Sequence, residues 1–349
     1  MPVYEINPLE DKRWDDLVAW HSLAGVFHSR AWLQALLQTY GYSPIVLTTS
    51  APGEPLQNGV VFCEVKSWIT GRRLVSLPFS DHCELLADSQ AQQEILAHVH
   101  DLTRKQESKY VELRSLKLSE PALPGSVNFQ PSEKFYLHTL SLQPAPDTLF
   151  SNMHKDCIQR KVRRAEREGL SYEKGRSDSL LSQFYLLLMR TRRRHSLPPQ
   201  PLEWFRNLVA AMGEGLMIRV ASKDATPVAA LLTLSFRNTV TYKYGCSDER
   251  FNALGGMPFL FWKTIEEARE QGMQHLDLGR SDTHNEGLAT FKDRLGAVRG
   301  QLTYFRCWSH RPMPDTRPVW VTQFANQLFS HLPDAALAAS GKILYRHIG

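Results

Sequence analysis

The sequence lacks the features that place a chain in a membrane or in an oxidising compartment. It has no apolar run of about 18 residues, the length that a membrane-spanning helix needs. Its first residues, MPVYEINPLEDKRWDD, contain neither the basic nor the apolar segment of a signal peptide. Cysteine is scarce, odd in number and scattered, at Cys63, Cys83, Cys157, Cys246 and Cys307. We therefore expect a cytoplasmic protein with neither a disulfide framework nor a metal site.

The composition that remains is that of a globular protein. Hydrophobic residues make up 42% and charged residues 22% of the 349 residues, which is long enough for two domains with cores of their own. The net charge of +5 at pH 7 is mild. Its distribution is more informative, because many of the basic residues fall in two clusters.

The order of predicted elements occurs twice along the chain. A strand, two helices, several antiparallel strands, a helix and further strands precede Gln143–Pro146, and a similar order follows it. Gln143–Pro146 is the best linker in the sequence because of its prolines. We therefore predict an N-terminal domain over 1–145 and a C-terminal domain over 146–310, each of mixed α/β architecture.

Residues 311–349 form a tail outside this repeated order. Val321, Phe324 and Leu328 give it an amphipathic segment, and it ends in KILYRHIG. We expect the tail to pack on the first domain. Peripheral contact with a membrane surface is the alternative, because amphipathic segments with basic residues also bind lipid headgroups.

The stretch Tyr242–Gly296 carries the strongest pattern. Apolar residues recur at helical spacing, at Met257, Leu260, Phe261, Ile265 and Ala268. Gly255 and Gly256 precede this helix, and a glycine-opened helix after a strand exposes backbone N–H groups that suit a phosphate. The segment MQHLDLGR then predicts a strand, and a short helix carries Phe291 and Lys292.

The motifs YKYGCSD, LDLGRSD and FKDRLG, in this order, resemble the second half of the FemAB/FemX-like aminoacyltransferases and the related CelD/BcsL-type acetyltransferase-like family. The basic helix RKVRRAEREGL resembles the entry to that domain. Both families belong to the GNAT-type acyltransferase superfamily. The resemblance covers roughly the last two thirds of the chain and implies a tandem pair of GNAT-like domains with mixed sheets, the first on the acceptor side and the second holding the donor.

Two residues are candidates for catalysis. The resemblance implies that Lys292, in FKDRLG, lies at the active centre, where an ammonium could stabilise a tetrahedral oxyanion. The alternative is a solvated lysine paired with Glu286 or Asp293. Tyr244 lies on a predicted strand and could protonate a leaving group, although a core tyrosine fits the same pattern.

The basic residues suggest a donor that carries phosphates. Guanidinium groups bind phosphates through paired hydrogen bonds. Arg160, Arg163 and Arg164 lie on the basic helix, and a second cluster spans Arg190–Arg194. A solvated basic face is the alternative. No aromatic residues interleave the first run, so base-specific recognition is not expected and DNA is not a predicted partner.

A short motif before the helix also bears on the donor. Coenzyme A-dependent GNAT enzymes cradle pyrophosphate with Arg/Gln-x-x-Gly-x-Gly/Ala, and the resemblance implies the same role here. Arg250, Gly255 and Gly256 are the candidates, but Ala253 replaces the first glycine of the pattern. A plain loop and helix N-terminus is the alternative.

The remaining candidates are substrate-binding residues. In the resembling families, the loops that match FHSRAW and PFSDHCELL face the acceptor cleft, which implies roles for His28, Trp32, Asp81 and His82. A nucleophile dyad or a zinc site in these loops is disfavoured by the residue spacing. The other candidates are Tyr242, Arg280 and Asp282, which lie on or after predicted strands of the stretch Tyr242–Gly296.

The sequence therefore predicts an N-acyltransferase. It would transfer an acyl group from acyl-CoA, without a tightly bound cofactor, to an amine of a cell-envelope or exopolysaccharide precursor such as a lipid-linked saccharide. An aminoacyl-tRNA donor with a peptidoglycan-type acceptor is one alternative. A non-catalytic protein that binds a phosphorylated sugar or lipid is another.

Overall fold

The computed structural model describes residues 2–68, 71–105, 108–118, 128–309 and 332–348. The chain forms two compact units. The first comprises Met1–Phe135, Gln301–Thr316 and Ile343–Gly349, and the second comprises Tyr136–Gly300 and Arg317–Lys342.

The first unit contains an edge-to-edge series of strands with helices. Its elements are β1 (Tyr4–Ile6), α1 (Arg13–Trp20), α2 (Arg30–Tyr40), β2 (Ser43–Thr48), β3 (Val60–Ser67), β4 (Gly71–Val75), α3 (Ser89–Lys105), β5 (Tyr110–Leu113) and parts of β6 (Phe129–Ser141) and β12 (Val298–Trp308). The strand order is β1-β2-β3-β4-β5-β12. Neighbouring strands are antiparallel except β4 and β5, which are parallel and joined by α3.

The second unit repeats this arrangement with longer strands. It contains α4 (Pro146–Asn152), α5 (Arg160–Arg167), β7 (Ser171–Gly175), α6 (Asp178–Arg194), α7 (Leu202–Met212), β8 (Leu216–Lys223), β9 (Thr226–Phe236), β10 (Thr239–Ser247), α8 (Gly256–Glu270), β11 (His275–Asp282) and α9 (Glu286–Arg294). Its strand order is β11-β10-β9-β8-β7, with β6 beside β11. Again three antiparallel strands, β8 to β10, lead through a helix to a parallel strand.

The core of the second unit forms where α5 and α8 pack on the sheet. Leu260, Ile265 and Ala268 of α8 are buried against Val162 of α5 and Leu231 of β9. The helical spacing of the apolar residues predicts this packing, because positions three and four apart share one helix face. The predicted helix and the strand after it are therefore present in the structure.

The compact units differ from the predicted domain limits at 145 and 310. The chain passes from one unit to the other inside β6, between Phe135 and Tyr136, and returns inside β12, between Gly300 and Gln301. The prolines of Gln143–Pro146 mark a loop, but this loop lies within the second unit. A strand that continues from one unit into the next has no sequence signature of a boundary.

The helical segment that leads into the basic helix RKVRRAEREGL is interrupted. α4 ends at Asn152, and the imidazole Nδ1 of His154 accepts hydrogen bonds from the backbone N–H groups of Asp156 and Cys157. This cap starts a wide turn over Lys155–Gln159, which leads into α5. The local side-chain cap competes with continuation of the helix. The spacing of apolar residues along the sequence does not reveal such a cap.

A last helix, α10 (Asp334–Ile348), lies near the end of the chain. The hydroxyl of Tyr42 donates to the carbonyl oxygen of Tyr345 in its last turn, at 2.9 Å. The predicted amphipathic segment with Val321, Phe324 and Leu328 lies outside the described residues. In the part of the chain that is described, no helix is long and apolar enough to cross a membrane.

Candidate active site

Strands β10 and β11 separate after a short parallel pairing. They pair over Thr239–Thr241 and His275–Asp277 only, although β10 continues through Ser247 and β11 through Asp282. Beyond this pairing the two strands diverge and form no further ladder with each other. The separation creates a cleft at the carboxyl ends of a parallel strand pair.

A β-bulge at Lys243 contributes to this separation. The pairing of β10 with β9 skips Lys243, since Tyr242 lies opposite Thr233 and Tyr244 lies opposite Leu232. Adjacent residues of β9 point to opposite faces of the sheet, so the two tyrosines opposite them also point to opposite faces. In a regular strand the two tyrosines, two residues apart, would share one face, and the bulge is the reason that they do not.

The contacts of the tyrosines agree with this assignment. Tyr242 packs its ring on Phe261 of α8, with 5.0 Å between ring centroids. Tyr244 contacts Phe205 of α7 at 5.1 Å, and its hydroxyl oxygen accepts a hydrogen bond of 2.9 Å from the indole N–H of Trp204. One tyrosine therefore lies on the α8 face and the other on the α7 face.

A cavity of about 530 Å³ occupies the cleft and reaches both faces of the sheet. Its wall includes the bulged segment Tyr242–Ser247 and Lys292. Apolar side chains form much of the surface, at Leu188, Met257, Phe261, Leu288 and Phe291. Basic side chains line it at the end of α6, namely Arg192, Arg194 and His195. Burial and the two arginines lower the pKa of His195, so its imidazole is neutral at pH 7.

A second cavity, of about 250 Å³, lies at the start of α8. Lys161 and Arg294 contribute basic groups to it. It shares Ser247, Met257 and Phe291 with the larger cavity, so the two are contiguous. An elongated molecule could therefore extend from the start of α8 into the cleft between β10 and β11.

Gly255 and Gly256 allow this helix start to pack closely. Gly255 has φ +80°, and a Cβ there would lie 2.4 Å from the carbonyl oxygen of Lys161. A Cβ on Gly256 would lie 2.9 Å from the Cβ of Ala229. The first N–H groups of an α-helix have no partner within the helix, and Gly256 and Met257, at the start of α8, line the smaller cavity.

Lys292 lies in the wall of the cleft, and its burial speaks against the alternative of a solvated lysine paired with Glu286 or Asp293. Its residue is 2% exposed. The ammonium nitrogen donates to the carbonyl oxygens of Gly279 and Arg280, at 3.0 and 2.9 Å. Successive carbonyls of a regular strand point in opposite directions, but Gly279 has φ +68°, which turns β11 so that both reach the same ammonium.

A histidine–aspartate pair lies beside Lys292, because Asp293 follows Lys292 in α9. His138 of β6 is fully buried, and its Nε2 lies 3.1 Å from a carboxylate oxygen of Asp293. Hydrogen bonding to Arg299 lowers the pKa of Asp293, so this carboxyl is ionised. Burial and, next, the charge of Lys292 lower the pKa of His138. The neutral imidazole of His138 therefore donates a hydrogen bond from its Nε2–H to the anionic carboxylate of Asp293.

The predicted donor-binding arginines line neither cavity. Arg160 pairs with Asp156 at the surface at 2.8 Å, and Arg164 lies 3.5 Å from Glu168. Arg163 lies over the ring of Phe150. All three belong to the exposed side of α5. Their assignment to the donor stays a prediction, and the cavities themselves are lined by other basic residues.

The guanidinium group of Arg250 is paired with an aspartate. Asp248 accepts hydrogen bonds from Arg250 and from Arg190, the shortest of each at 2.6 Å. The hydrogen bonds from Arg250 lower the pKa of Asp248 to about 2. This cluster fixes the loop that leads from β10 to α8. The arginine of the proposed pyrophosphate motif thus has a structural partner within two residues.

In the first unit, His28 and Trp32 are core residues. His28 is 2% exposed, accepts at Nδ1 from the N–H of Gly25, and donates from Nε2 to the carbonyl oxygen of Glu84. Trp32 is fully buried against Phe27. Their burial speaks against direct contact with a substrate. The sequence predicted exposed side chains here, because both residues lie in a segment that looks like a loop.

Asp81, His82 and Cys83 follow β4 in the same unit. The carbonyl oxygen of Asp81 accepts from the hydroxyl of Tyr304, and the ring of His82 packs edge-on against Phe27. Cys83 is buried, which raises the pKa of its thiol well above the ordinary range, so it is no nucleophile. The substrate-binding roles of Asp81 and His82 stay predictions. No metal-binding group of three side chains occurs among the described residues.

Arg280 and Asp282 lie at the end of β11, as predicted. Both backbone carbonyls accept hydrogen bonds within the protein. The carbonyl of Arg280 accepts from Lys292, and the carbonyl of Asp282 accepts from the N–H of Asn285. The Arg280 side chain is half-buried and that of Asp282 is exposed. Substrate binding by these side chains stays a prediction.

The comparisons with known proteins are consistent with this geometry. Residues 153–293, which include the walls of both cavities except Arg294, match the family model of the acetyltransferase (GNAT) domain. The chain carries a GNAT acetyltransferase domain. It is an acyltransferase, and the fold expectation of mixed α/β architecture with GNAT-like domains is confirmed.

Several solved structures share the fold of the GNAT domain and its companion unit. "Crystal structure of FemX" is 14% identical with a TM-score of 0.67, covering 87% of this chain and 97% of that one. A tandem GNAT protein from the clavulanic acid biosynthesis pathway is 12% identical with a TM-score of 0.57, covering 89% and 100%. The C-terminal domain of a putative lysylphosphatidylglycerol synthetase from Agrobacterium fabrum is 13% identical with a TM-score of 0.57, covering 86% and 92%. No curated protein matches the sequence.

Proposed function

We propose that the GNAT domain transfers an acyl group from acyl-CoA to an amine in the cleft between β10 and β11. The observation that carries this proposal is the contiguity of the cleft with the start of α8. One end offers basic groups and helix N–H groups to phosphates. The other offers the part of β10 beyond its pairing with β11, and a mainly apolar surface, to the thioester and acyl group.

The donor's phosphates would lie at the start of α8. Lys161 and Arg294 supply positive charge there, and the N–H groups of Gly256 and Met257 supply hydrogen-bond donors. The amide groups of the pantetheine arm would pair with the separated edge of β10, as an added strand pairs with a sheet edge. This places the thioester near the bulge at Lys243.

The reaction is then an acyl transfer by direct attack. The amine nitrogen attacks the thioester carbonyl, the C–S bond breaks, and the sulfur leaves as a thiolate that takes up a proton. Lys292 would contribute positive charge close to the developing oxyanion. The carbonyls of Gly279 and Arg280 hold its ammonium in place before substrate arrives, so no reorganisation is needed in the transition state.

Tyr244 is the proposed proton donor to the sulfur. An indole N–H only donates, so the Tyr244 oxygen accepts from Trp204 and its own hydrogen points in another direction. Tyr244 lines the cavity, and the bond from Trp204 fixes the position of its hydroxyl. The attacking amine passes its proton to a substrate group or to water.

The structural similarity to FemX and to the synthetase domain supports a cell-envelope acceptor, such as an exopolysaccharide or lipid-linked precursor. Aminoacyl-tRNA is the second candidate donor. The exposed arginines of α5, Arg160, Arg163 and Arg164, favour it because they form a basic surface without filling either cavity. A polyanion larger than coenzyme A would use such a surface.

The test compares donors directly. Calorimetry would measure binding of coenzyme A and of aminoacyl-tRNA to the wild type, and thiol release would measure turnover with acetyl-CoA and longer acyl-CoA. We expect coenzyme A to bind, and to bind more weakly in Lys161→Glu and Arg294→Glu. Binding of tRNA alone, lost in Arg163→Glu with Arg164→Glu, would replace the acyl-CoA proposal with the second candidate.

A further inference from the structure

The arginines at the end of α6 divide into two pairs. Arg190 bonds Asp248 at 2.6 Å, and Arg193 bonds Asp334 at 2.7 Å and the carbonyl oxygen of Leu332. Arg192 and Arg194 have no carboxylate partner within the described ranges, and both line the larger cavity. The four residues are neighbours on one helix, but only two of them are turned toward the cleft.

The helix dipole accounts for part of this pattern. Basic residues are favoured in the last turn of a helix because the carbonyl ends carry partial negative charge. That effect explains why the run is basic. It does not explain why Arg192 is half-buried in the wall of a cavity that has no carboxylate among its described lining residues. Guanidinium groups in such positions bind carboxylates and phosphates in bidentate geometry.

The position of these arginines distinguishes acceptor from donor. The start of α8, with Lys161 and Arg294, lies on the face of the sheet where Tyr242 packs on Phe261. α6 lies on the other face, where Phe184 contacts Tyr244. On the first face, Lys161 and Arg294 are the groups proposed to bind the donor's phosphates. An anionic group bound by Arg192 and Arg194 would therefore belong to the molecule that enters from the α6 face.

We propose that the acceptor carries a carboxylate or phosphate group near its reactive amine, bound by Arg192 and Arg194. This inference rests on the proposed acyl transfer for its assignment to the acceptor. The larger cavity is the acceptor's entrance, and the two guanidinium groups orient the amine toward the thioester. An amine without the anionic group loses this orientation.

The experiment uses matched amines that differ by one anionic group. The pairs are glucosamine 6-phosphate with glucosamine, and lysine with 1,5-diaminopentane. Turnover with acetyl-CoA is measured by thiol release, and binding of each amine is measured by calorimetry without acetyl-CoA. The variants are Arg192→Gln and Arg194→Gln. Arg193→Gln is the matched control, because that arginine has its own partners and does not line the cavity.

The anionic member of at least one pair should bind and turn over about 10–100-fold better, the scale of a charge-assisted hydrogen-bonded pair. The advantage should disappear in Arg192→Gln and Arg194→Gln and persist in Arg193→Gln. The phosphate and carboxylate pairs show which group is bound. Equal binding within both pairs, or no binding of any anionic amine, would overturn the inference.

Two results separate this inference from the acyl-transfer proposal. Turnover that is equally fast for charged and uncharged amines would retain acyl transfer and exclude the anionic acceptor. Binding of anionic amines that depends on Arg192, with no turnover of any amine or donor, would retain the anion site and exclude acyl transfer. If Arg192→Gln weakened coenzyme A binding instead, the site would belong to the donor and the inference would be wrong.

Discussion

The ammonium nitrogen of Lys292 lies 3.0 Å from the carbonyl oxygen of Gly279, which joins α9 to β11 at the point where β11 has left β10. A buried charged group in this position has two consequences. It satisfies backbone oxygens that the neighbouring strand no longer reaches, and it places positive charge in the cleft wall. Structure and proposed catalysis therefore depend on the same side chain.

Replacing Lys292 should affect both stability and turnover. Lys292→Met keeps the approximate length of the side chain but leaves the carbonyls of Gly279 and Arg280 without this donor, which costs about 1–3 kcal/mol for the buried Gly279 group. Turnover with acetyl-CoA should fall about 10²–10³-fold, the scale of losing one oxyanion donor. Lys292→Arg should recover only part of the rate, because a planar fork cannot occupy the position of a compact ammonium. Melting temperature and thiol release are measured on the same samples.

The control for this variant is Lys263→Met on α8. Lys263 makes a partly exposed pair with Glu266, and such pairs contribute little to stability. A Lys292→Met protein that melts and turns over normally would contradict both roles. Loss of turnover only in proportion to unfolded protein would leave Lys292 a structural residue.

Gly255→Ala tests the helix start. The new Cβ would meet the Lys161 carbonyl oxygen at 2.4 Å, at a φ of +80° that L side chains rarely adopt. We expect a loss of about 1–3 kcal/mol in the free energy of unfolding and weaker coenzyme A binding, because α5 and α8 must move apart. Urea denaturation and calorimetry measure the two effects. Gly25→Ala, with no atom within 4 Å of its Cβ, is the control, and equal effects of both changes would contradict the argument.

Much of the fold could be predicted because it follows from local patterns. Helical spacing of apolar residues predicts α8, and alternation with turn residues predicts the strands around it. The repeated order of elements predicts two similar units, as the helix-joined parallel strands β4 and β5, and β10 and β11, confirm. The family resemblance of Tyr242–Gly296 likewise agrees with the matched GNAT domain.

The geometry of the site could not be predicted in the same way. The bulge at Lys243 depends on the register with β9, and the burial of Lys292 depends on a left-handed turn at Gly279. Both are relations between segments distant in sequence. The run RTRRRH does signal a basic site, but only the distant partners Asp248 and Asp334 show which arginines remain for a ligand.

Asp248 should make stability depend on pH in the acid range. Its pKa is lowered from an ordinary 3.8 to about 2, chiefly by Arg250. A carboxyl whose pKa is lower in the folded state stabilises the fold above its unfolded pKa, and this contribution is lost as pH falls from about 4 to about 2. Asp248→Asn should lower the free energy of unfolding at pH 7 by up to about 2 kcal/mol and flatten the profile in that window.

Denaturant midpoints between pH 2 and pH 7 measure this dependence. The exposed neighbour Glu249 supplies the matched control, Glu249→Gln. A profile for Asp248→Asn that parallels the wild type would show that the Arg190 and Arg250 contacts do not stabilise the loop before α8.

The contact between Gly245 and Tyr242 can be tested by substitution, because the Tyr242 side chain leaves no space for a side chain at position 245. A Cβ on Gly245 would lie 2.3 Å from the Tyr242 hydroxyl oxygen, while Phe261 holds the tyrosine ring from the other side. Gly245→Ala should therefore displace the ring into the cleft and lower both stability and turnover. Tyr242→Phe removes the hydroxyl and relieves the closest contact.

A double-mutant cycle separates packing from chemistry at this pair. If the hydroxyl serves only packing, Tyr242→Phe should be nearly neutral, and adding it to Gly245→Ala should recover part of the loss, with a coupling energy of about 0.5–3 kcal/mol. Recovery should be partial, because Met257 also lies 3.0 Å from the added Cβ. If Tyr242 instead contacts substrate, Tyr242→Phe should lower turnover while the melting temperature stays unchanged, and the double variant should regain stability without regaining rate. Additive losses in both measurements would show that the ring moves aside freely, so that Gly245 does not define the width of the cleft.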